Sequence, residues 1–189
     1  VPAALVASMV KLAFTAQREQ AGDPARVLTA MNRALCDTAE GSFVTAVYGV
    51  FDTEAGLLTV ANAGHPSLLA GGADGRVEEC RERGAMLGLM REAVYRNEHR
   101  RIAPGDRVLF YTDGVTEAQN AAGEFLDGER LASWLGTTDG SAPSGGEQIM
   151  RQLHGWRGAA SFDDDVTFVL ARVSDPAQPQ RGSRPSTGS

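Results

Sequence analysis

Apolar and polar positions along this chain switch from helical to strand period and back. Residues 1–17 are apolar nearly all round through Phe14, and Pro2 suits a first helical turn, which predicts a helix with much of its surface buried. Gly22-Asp23-Pro24 breaks it; Asp23 can cap a second helix that carries Pro24 in its first turn. Val27, Leu28, Met31 and Leu35 recur at helical spacing and mark the apolar face of that helix, over about 24–37. After Gly41-Ser42 the period shortens. Strands are predicted over 43–51 and 57–62, joined by the hairpin turn Asp52-Thr53-Glu54-Ala55-Gly56. The corner Ala63-Gly64-His65-Pro66 follows, then short strands over 67–70 and 76–80 around a glycine-rich turn, and an alternating stretch over 95–102. Pro104-Gly105-Asp106 turns into the apolar run 108–111. Beyond it come a loop over 119–123, a helix over about 127–135, a polar Ser/Thr/Gly linker over 136–146, a helix over about 147–156 and a last apolar strand over 166–173.

Helices, then strands with short connections, then helices and a final strand describe an α+β layout of mostly antiparallel sheets with helices outside. The pattern predicts one domain over 1–173. From Ser174 onward Pro, Gln, Arg, Gly and Ser dominate, which predicts a disordered tail over 174–189.

Composition narrows the function. The 189 residues are 42% hydrophobic and 22% charged, a globular profile with room for a real core. A net charge of −6 argues against nucleic acid as the main partner and suits an acidic metal site. No stretch is long and apolar enough to cross a bilayer, and residues 1–10 lack the basic leader of a signal peptide. Cys36 and Cys80 stand in unlike contexts and read as buried thiols of a cytoplasmic protein, not as a disulfide or a zinc site.

Two acidic stretches carry candidate chemistry. The strand over 108–111 stops on Asp113-Gly114, and Asp163-Asp164-Asp165 precedes the last strand. Each has two readings. Asp113-Gly114 is either an ordinary turn or a carboxylate paired by a cation, with Gly114 allowing a sharp corner and a close approach. The three aspartates are either a solvated loop or a cation site that relieves their repulsion. Carboxylates at strand ends, without a Cys or His cluster, favour a hard ion such as Mg²⁺ or Mn²⁺. His65 reads as a structural corner more than a catalytic acid; His99 and His154 read as surface or satisfied core. Arg96, Arg100 and Arg101 read as a solvated strand face, and Trp134 and Trp156 as helix-to-sheet packing.

The stretch Tyr111-Thr112-Asp113-Gly114-Val115-Thr116-Glu117-Ala118 resembles a hallmark of the bacterial metal-dependent serine/threonine protein phosphatases, the SpoIIE-like branch of the type 2C (PPM) superfamily. Other stretches agree in family order. Val1-Pro2-Ala3-Ala4-Leu5 resembles the start of the helix after the first metal motif. Val27-Leu28, Met31-Asn32-Arg33 and Leu35 resemble the second helix, and Phe43-Val44-Thr45-Ala46 a central strand. Asn62-Ala63-Gly64-His65-Pro66, Leu87-Gly88-Leu89, Pro104-Gly105-Asp106 and Asp164-Asp165-Val166-Thr167 complete the set.

The resemblance implies an α-β-β-α sandwich and hydrolysis of phosphoserine or phosphothreonine. It also implies two Mn²⁺ or Mg²⁺ ions that lower the pKa of a bridging water and neutralise the phosphate, so that no covalent intermediate is needed. Asp113 and Asp164 match the metal-binding aspartates, with Gly114, Asp163 and Asp165 shaping the corner and the field; a register slipped by one residue would exchange Asp164 for a neighbour. The implied partner is a phosphorylated regulatory protein, an anti-sigma-factor antagonist in a partner-switching pathway, with a sensory domain preceding the phosphatase. The family's first metal motif, an Asp-x-Ser-Gly-x-Gly stretch, lies immediately before Val-Pro-Ala-Ala-Leu, so it is expected upstream of Val1 and the domain here is N-terminally truncated. The alternative is a catalytically incomplete phosphatase-like domain that acts as a protein-binding or regulatory module.

Overall fold

A computed structural model describes residues 2–38, 41–158 and 165–175. Helices α1 (Ala3–Thr15) and α2 (Pro24–Thr38) come first. Strands β1 (Ala46–Asp52), β2 (Leu57–Ala63), β3 (Leu69–Gly71), β4 (Val77–Glu79), β5 (Glu98–Arg101) and β6 (Arg107–Tyr111) follow. The chain then forms the single turn α3 (Asp113–Thr116), helices α4 (Gly128–Thr137) and α5 (Ala142–Arg157), and strand β7 (Phe168–Arg172). Two sheets result, ordered β1-β2-β5 and β4-β3-β6-β7, and every strand pair within them is antiparallel.

Strand alternation builds the layers. In β2, Leu58 and Val60 face the second sheet, while Ala61 and Ala63 face α2. In β6, Val108 and Phe110 face the first sheet, while Leu109 and Tyr111 face α4 and α5. Three apolar cores therefore separate four layers. One lies between α1–α2 and the first sheet, one between the sheets, and one between the second sheet and α4–α5. This is the α+β, α-β-β-α sandwich that the sequence pattern and the resemblance imply. Arg100 of β5 ties the two sheets at one side, through Glu78 of β4 at 2.9 Å and the Ala70 carbonyl of β3.

Three local expectations are corrected. Helix α1 is not largely buried: Ala13 alone in it is buried, and Leu12 is 73% exposed. Its apolar residues cover the whole circumference, but it packs on α2 along one stripe, so the other sides face outward. Helix α5 begins at Ala142, inside the predicted polar linker, because Ser141 caps it by accepting from the Ser144 N–H and Pro143 sits in its first turn. Finally, the strand over 108–111 runs into a helical turn, not a plain corner. Among the described residues no helix is long and apolar enough to cross a membrane. The tail beyond Asp175 lies outside the described residues.

Candidate functional site

Strand β6 is buried between the two cores until Tyr111, and Thr112 then ends its pairing with β7. The Thr112 N–H donates to the Thr167 carbonyl at 3.0 Å, and the Thr167 N–H donates to Thr112 Oγ1 at 3.1 Å. This clasp holds both chains where the acidic residues begin. Asp113 opens α3 with an exposed side chain, and its Oδ1 accepts from the Gly114 N–H at 3.1 Å. Its carbonyl accepts from Thr116 Oγ1 at 3.1 Å and from the Glu117 N–H at 2.8 Å, which fixes the turn.

Gly114 is buried, and a Cβ on it would lie 2.4 Å from the Asp165 carbonyl oxygen. Its φ is not positive, so it is glycine for close approach and not for left-handed backbone. The two acidic stretches singled out in the sequence thus meet at one end of the β6–β7 pair, with Asp165 exposed beside the Asp113 turn. Asp163 and Asp164 lie outside the described residues.

The corner after β2 reaches the same end. Asn62 is buried and brackets His65: its Oδ1 accepts from the His65 N–H and its Nδ2 donates to the His65 carbonyl, both at 2.9 Å. Gly64, at φ +70, completes the corner, and Met86 fills the space a Cβ there would take. The His65 ring meets Thr45 Oγ1 through Nδ1 at 3.1 Å. The β3–β6 register pairs Leu69 with Leu109, Ala70 with Val108 and Gly71 with Arg107, so the chain before β3 runs toward the end of β6. Burial pushes the His65 imidazole below its ordinary value, while the Asp113 charge and a hydrogen bond to the Tyr111 backbone pull it back up.

Arg83 is a residue that the sequence pattern did not single out. Its Nε donates to Ser67 Oγ at 2.9 Å and its Nη2 to Glu79 at 2.8 Å. Burial and Glu79 raise the Tyr111 phenol, and Arg83 offsets part of that rise, so this cation also stands near the end of β6. Arg83 lies in an irregular segment, where no periodicity marks it. The other basic candidates are elsewhere: Arg100 serves Glu78, and Arg101 reaches the Ala55 carbonyl. His99 pairs with Thr59 at 3.1 Å on the outside of β5, and His154 is exposed on α5. Trp156 donates to the Ala118 carbonyl at 3.1 Å, and the Arg130 guanidinium covers its ring at 4.2 Å; this ties the segment after α3 to α5.

The donor chemistry fits a hard divalent ion. Asp113 is an exposed carboxylate at a rigid turn, and the Gly114 approach leaves no room for a side chain between it and the Asp165 backbone. Among the described residues no group of three or more His, Cys, Asp or Glu gathers to hold an ion. The described residues therefore fit in kind and supply part of a ligand set.

Comparison with known proteins extends the picture. The family model described as Stage II sporulation protein E (SpoIIE) matches residues 1–174. The chain is 30% identical over 129 residues to the phosphoserine phosphatase RsbU of Bacillus subtilis, across 67% of this chain and 38% of that protein. The chain spans only 20% and 38% of the two curated relatives it matches. Among solved structures, the SiaA-PP2C domain of Pseudomonas aeruginosa superposes with a TM-score of 0.80 at 26% identity, over 92% of this chain and 71% of that one. The RsbU and RsbW domains of a Mycobacterium tuberculosis protein superpose with a TM-score of 0.69 at 27% identity, over 91% and 48%. With the α-β-β-α layers and the Asp-Gly turn in place, the match over residues 1–174 makes this chain a member of the SpoIIE family of PP2C-type serine phosphatase domains.

Proposed function

We propose that the protein carrying this chain hydrolyses phosphoserine or phosphothreonine on a regulatory protein, with Asp113 and Asp164 as ligands for two Mn²⁺ or Mg²⁺ ions. The observation that carries this reading is the packing of the Asp113-Gly114 turn against the Asp165 backbone, which gathers two acidic strand ends far apart in sequence. A bound hard ion supplies a nucleophilic water at neutral pH and neutralises phosphate charge. The chain's own contribution is the frame. The Thr112–Thr167 clasp fixes the strand ends, Gly114 sets their separation, and Asp163 and Asp165 add negative field. The family resemblance and the likeness to a phosphoserine phosphatase support this substrate class. The substrate is an anti-sigma-factor antagonist in a partner-switching pathway, dephosphorylated in the cytoplasm under control of a sensory domain.

A second reading is favoured by one observation, the lack of a three-residue ligand group among the described residues. In that reading the domain is catalytically incomplete and docks a partner. Asp113→Asn in the full-length protein separates the two. It should cut turnover of a phosphoserine protein by more than about a hundredfold, the upper end of what losing an outer partner of a ligand costs. Its circular dichroism and melting should stay near those of the parent. Near-normal hydrolysis by that variant would discard the assignment of Asp113.

A further inference from the structure

We propose that Arg83 is a specificity-determining residue for the phosphatase reaction: its guanidinium binds the carboxylate of an acidic residue that flanks the phosphoserine of the protein substrate. The inference rests on the phosphatase reading above and names what that site recognises beyond the phosphate.

The backbone around Arg83 is pinned on both sides. Before it, the Arg81 and Glu82 N–H groups both donate to Glu98 Oε2 of β5, at 2.8 and 3.0 Å. After it, the Gly84 N–H donates to the Asn62 carbonyl of β2 at 2.9 Å. A Cβ on Gly84 would lie 2.6 Å from the Tyr95 ring and 2.9 Å from that carbonyl oxygen, so only glycine allows the approach. An irregular segment is thus tied to the first sheet at residues 81, 82 and 84.

The side chain of Arg83 reaches the second sheet. Its Nε donates to Ser67 Oγ at 2.9 Å, and Ser67 is 1% exposed, which makes the hydroxyl a fixed point. Its Nη2 donates to Glu79, the last residue of β4, at 2.8 Å. A guanidinium carries more N–H donors than these contacts use. The rest of the group faces solvent, since the side chain is 60% exposed. An arginine ordered by the fold and still open to water loses little freedom when it takes a further carboxylate, and its planar fork suits that shape.

Its place says which carboxylate. Ser67 lies just before β3, where Leu69 pairs with Leu109 of β6 in antiparallel register. The chain before β3 and the end of β6 therefore run to the same end of the second sheet, where Asp113 opens its turn just after Tyr111. At about 3.3 Å per residue, Ser67 stands about 7 Å beyond the Leu69–Leu109 pair, toward that end. Arg83 flanks the site within the reach of a few residues of extended peptide. The exposed Asp113 and Asp165 and the net charge of −6 repel an acidic protein, whichever way it approaches. A fixed cation at the rim offsets that repulsion for one orientation of the substrate, which is how charge selects a partner and its register.

The test uses the full-length protein with Mn²⁺ and a set of phosphoserine peptides. Each is neutral apart from the phosphate and one glutamate, placed in turn at each of about three positions on either side, the span that a strand-like peptide covers in about 10 Å. The parent should favour glutamate over glutamine at one or two of these positions by about 3- to 10-fold in kcat/KM, expressed in KM. That range lies between an exposed ion pair and a charge-assisted hydrogen bond. Arg83→Gln should abolish the preference, so that glutamate and glutamine peptides are turned over alike. Glu79→Gln, which removes the competing carboxylate, should strengthen it. A merely structural arginine would lower the melting temperature and slow every peptide in proportion, and a preference kept in Arg83→Gln overturns the proposal. Equal losses on p-nitrophenyl phosphate and on the favoured peptide would also overturn it, in favour of contact with the phosphoryl group. A parent indifferent to glutamate overturns it while leaving the phosphatase reading intact. Should Arg83→Gln not fold, Glu79→Gln decides, and a preference that does not strengthen there overturns the inference. A parent that hydrolyses no phosphopeptide overturns the phosphatase reading and the inference with it.

Discussion

Gly114→Ala tests the site frame through one methyl group. The added carbon would lie 2.4 Å from the Asp165 carbonyl oxygen, 3.1 Å from its carbon and 3.6 Å from the Val166 nitrogen. Contact between such atoms is comfortable only near 3.5 Å, so one backbone must retreat by roughly 1 Å. No flexible side chain can absorb the shift, because all three neighbouring atoms are main chain. Both strands are also clasped one or two residues away, by Thr112 and Thr167. Overpacking of this kind costs about 1–3 kcal/mol. For a chain of this size each kcal/mol lowers the melting temperature by about 2–4 °C. The backbone torsion itself is no confounder, since Gly114 does not have a positive φ. Turnover should suffer more than stability, because a misplacement of about 1 Å can cost about a hundredfold. Gly128→Ala is the control. It opens α4 with nothing within 4 Å of the new carbon, and a compatible Gly-to-Ala change adds about 0.4–1 kcal/mol. Differential scanning calorimetry and Mn²⁺-dependent release of phosphate from a phosphoserine protein read both quantities. If Gly114→Ala melts and turns over like the parent, the claim that this contact sets the site is wrong.

Further outcomes follow from individual contacts. Asp164→Asn should reduce turnover as severely as Asp113→Asn, and Asp163→Asn less; the reverse order, measured on the same substrate, would move the ligand by one residue. Asn32 is fully buried, donates to the Met90 carbonyl at 2.8 Å and accepts from the Gly88 N–H at 2.9 Å. Asn32→Ala should therefore cost about 2–4 kcal/mol in urea unfolding by stranding both backbone groups, and an unchanged midpoint would contradict this. Burial, followed by Glu98, pushes the Cys80 thiol up to about 12, so iodoacetamide at pH 8 should alkylate half-buried Cys36 well before Cys80; equal rates would refute it. Tyr95 is likewise pushed by burial to about 12. For both groups the unfolded chain releases its proton first, so their contribution to stability is present at neutral pH and lost as pH rises from about 9 toward 12. Thermal melts across that range check the sign.

Much of this architecture is readable from local pattern. The period-2 alternation in β2 and β6 follows from side chains that face two different cores, and Val27, Leu28, Met31 and Leu35 mark the buried stripe of α2. What the pattern hid depends on distant partners. Apolar composition around α1 does not say that its packing is chiefly along one stripe against α2, which leaves Leu12 and other apolar residues exposed. The start of α5 was masked by Ser, Pro and Gly, whose linker-like composition is also that of a capped first turn. Asp113 was legible because an acid after a buried strand is conspicuous in sequence. That the Asp113 charge reaches His65 was not, because the corner after β2 and the end of β6 come together only when the two sheets pack. Arg83 escaped notice because its partners are set by the fold: it donates to Ser67, just before β3, and to Glu79 at the end of β4.

The pairing of β7 with β6 has a consequence for how the protein is made. The hairpin of β1 and β2 closes across a few residues and can form in microseconds. Strand β7 instead joins a partner from which α3, α4 and α5 separate it, so its docking must meet the largest chain-closure entropy in the second sheet. We expect β7 to be fixed late, after the folding barrier. Substitutions in it, such as Leu170→Ala, should then speed unfolding in stopped-flow experiments while leaving the refolding rate nearly unchanged. During synthesis the Asp165 backbone would reach the Asp113-Gly114 turn only once Arg172 has cleared the ribosome, so the two acidic strand ends meet only when the last strand of the domain has been made.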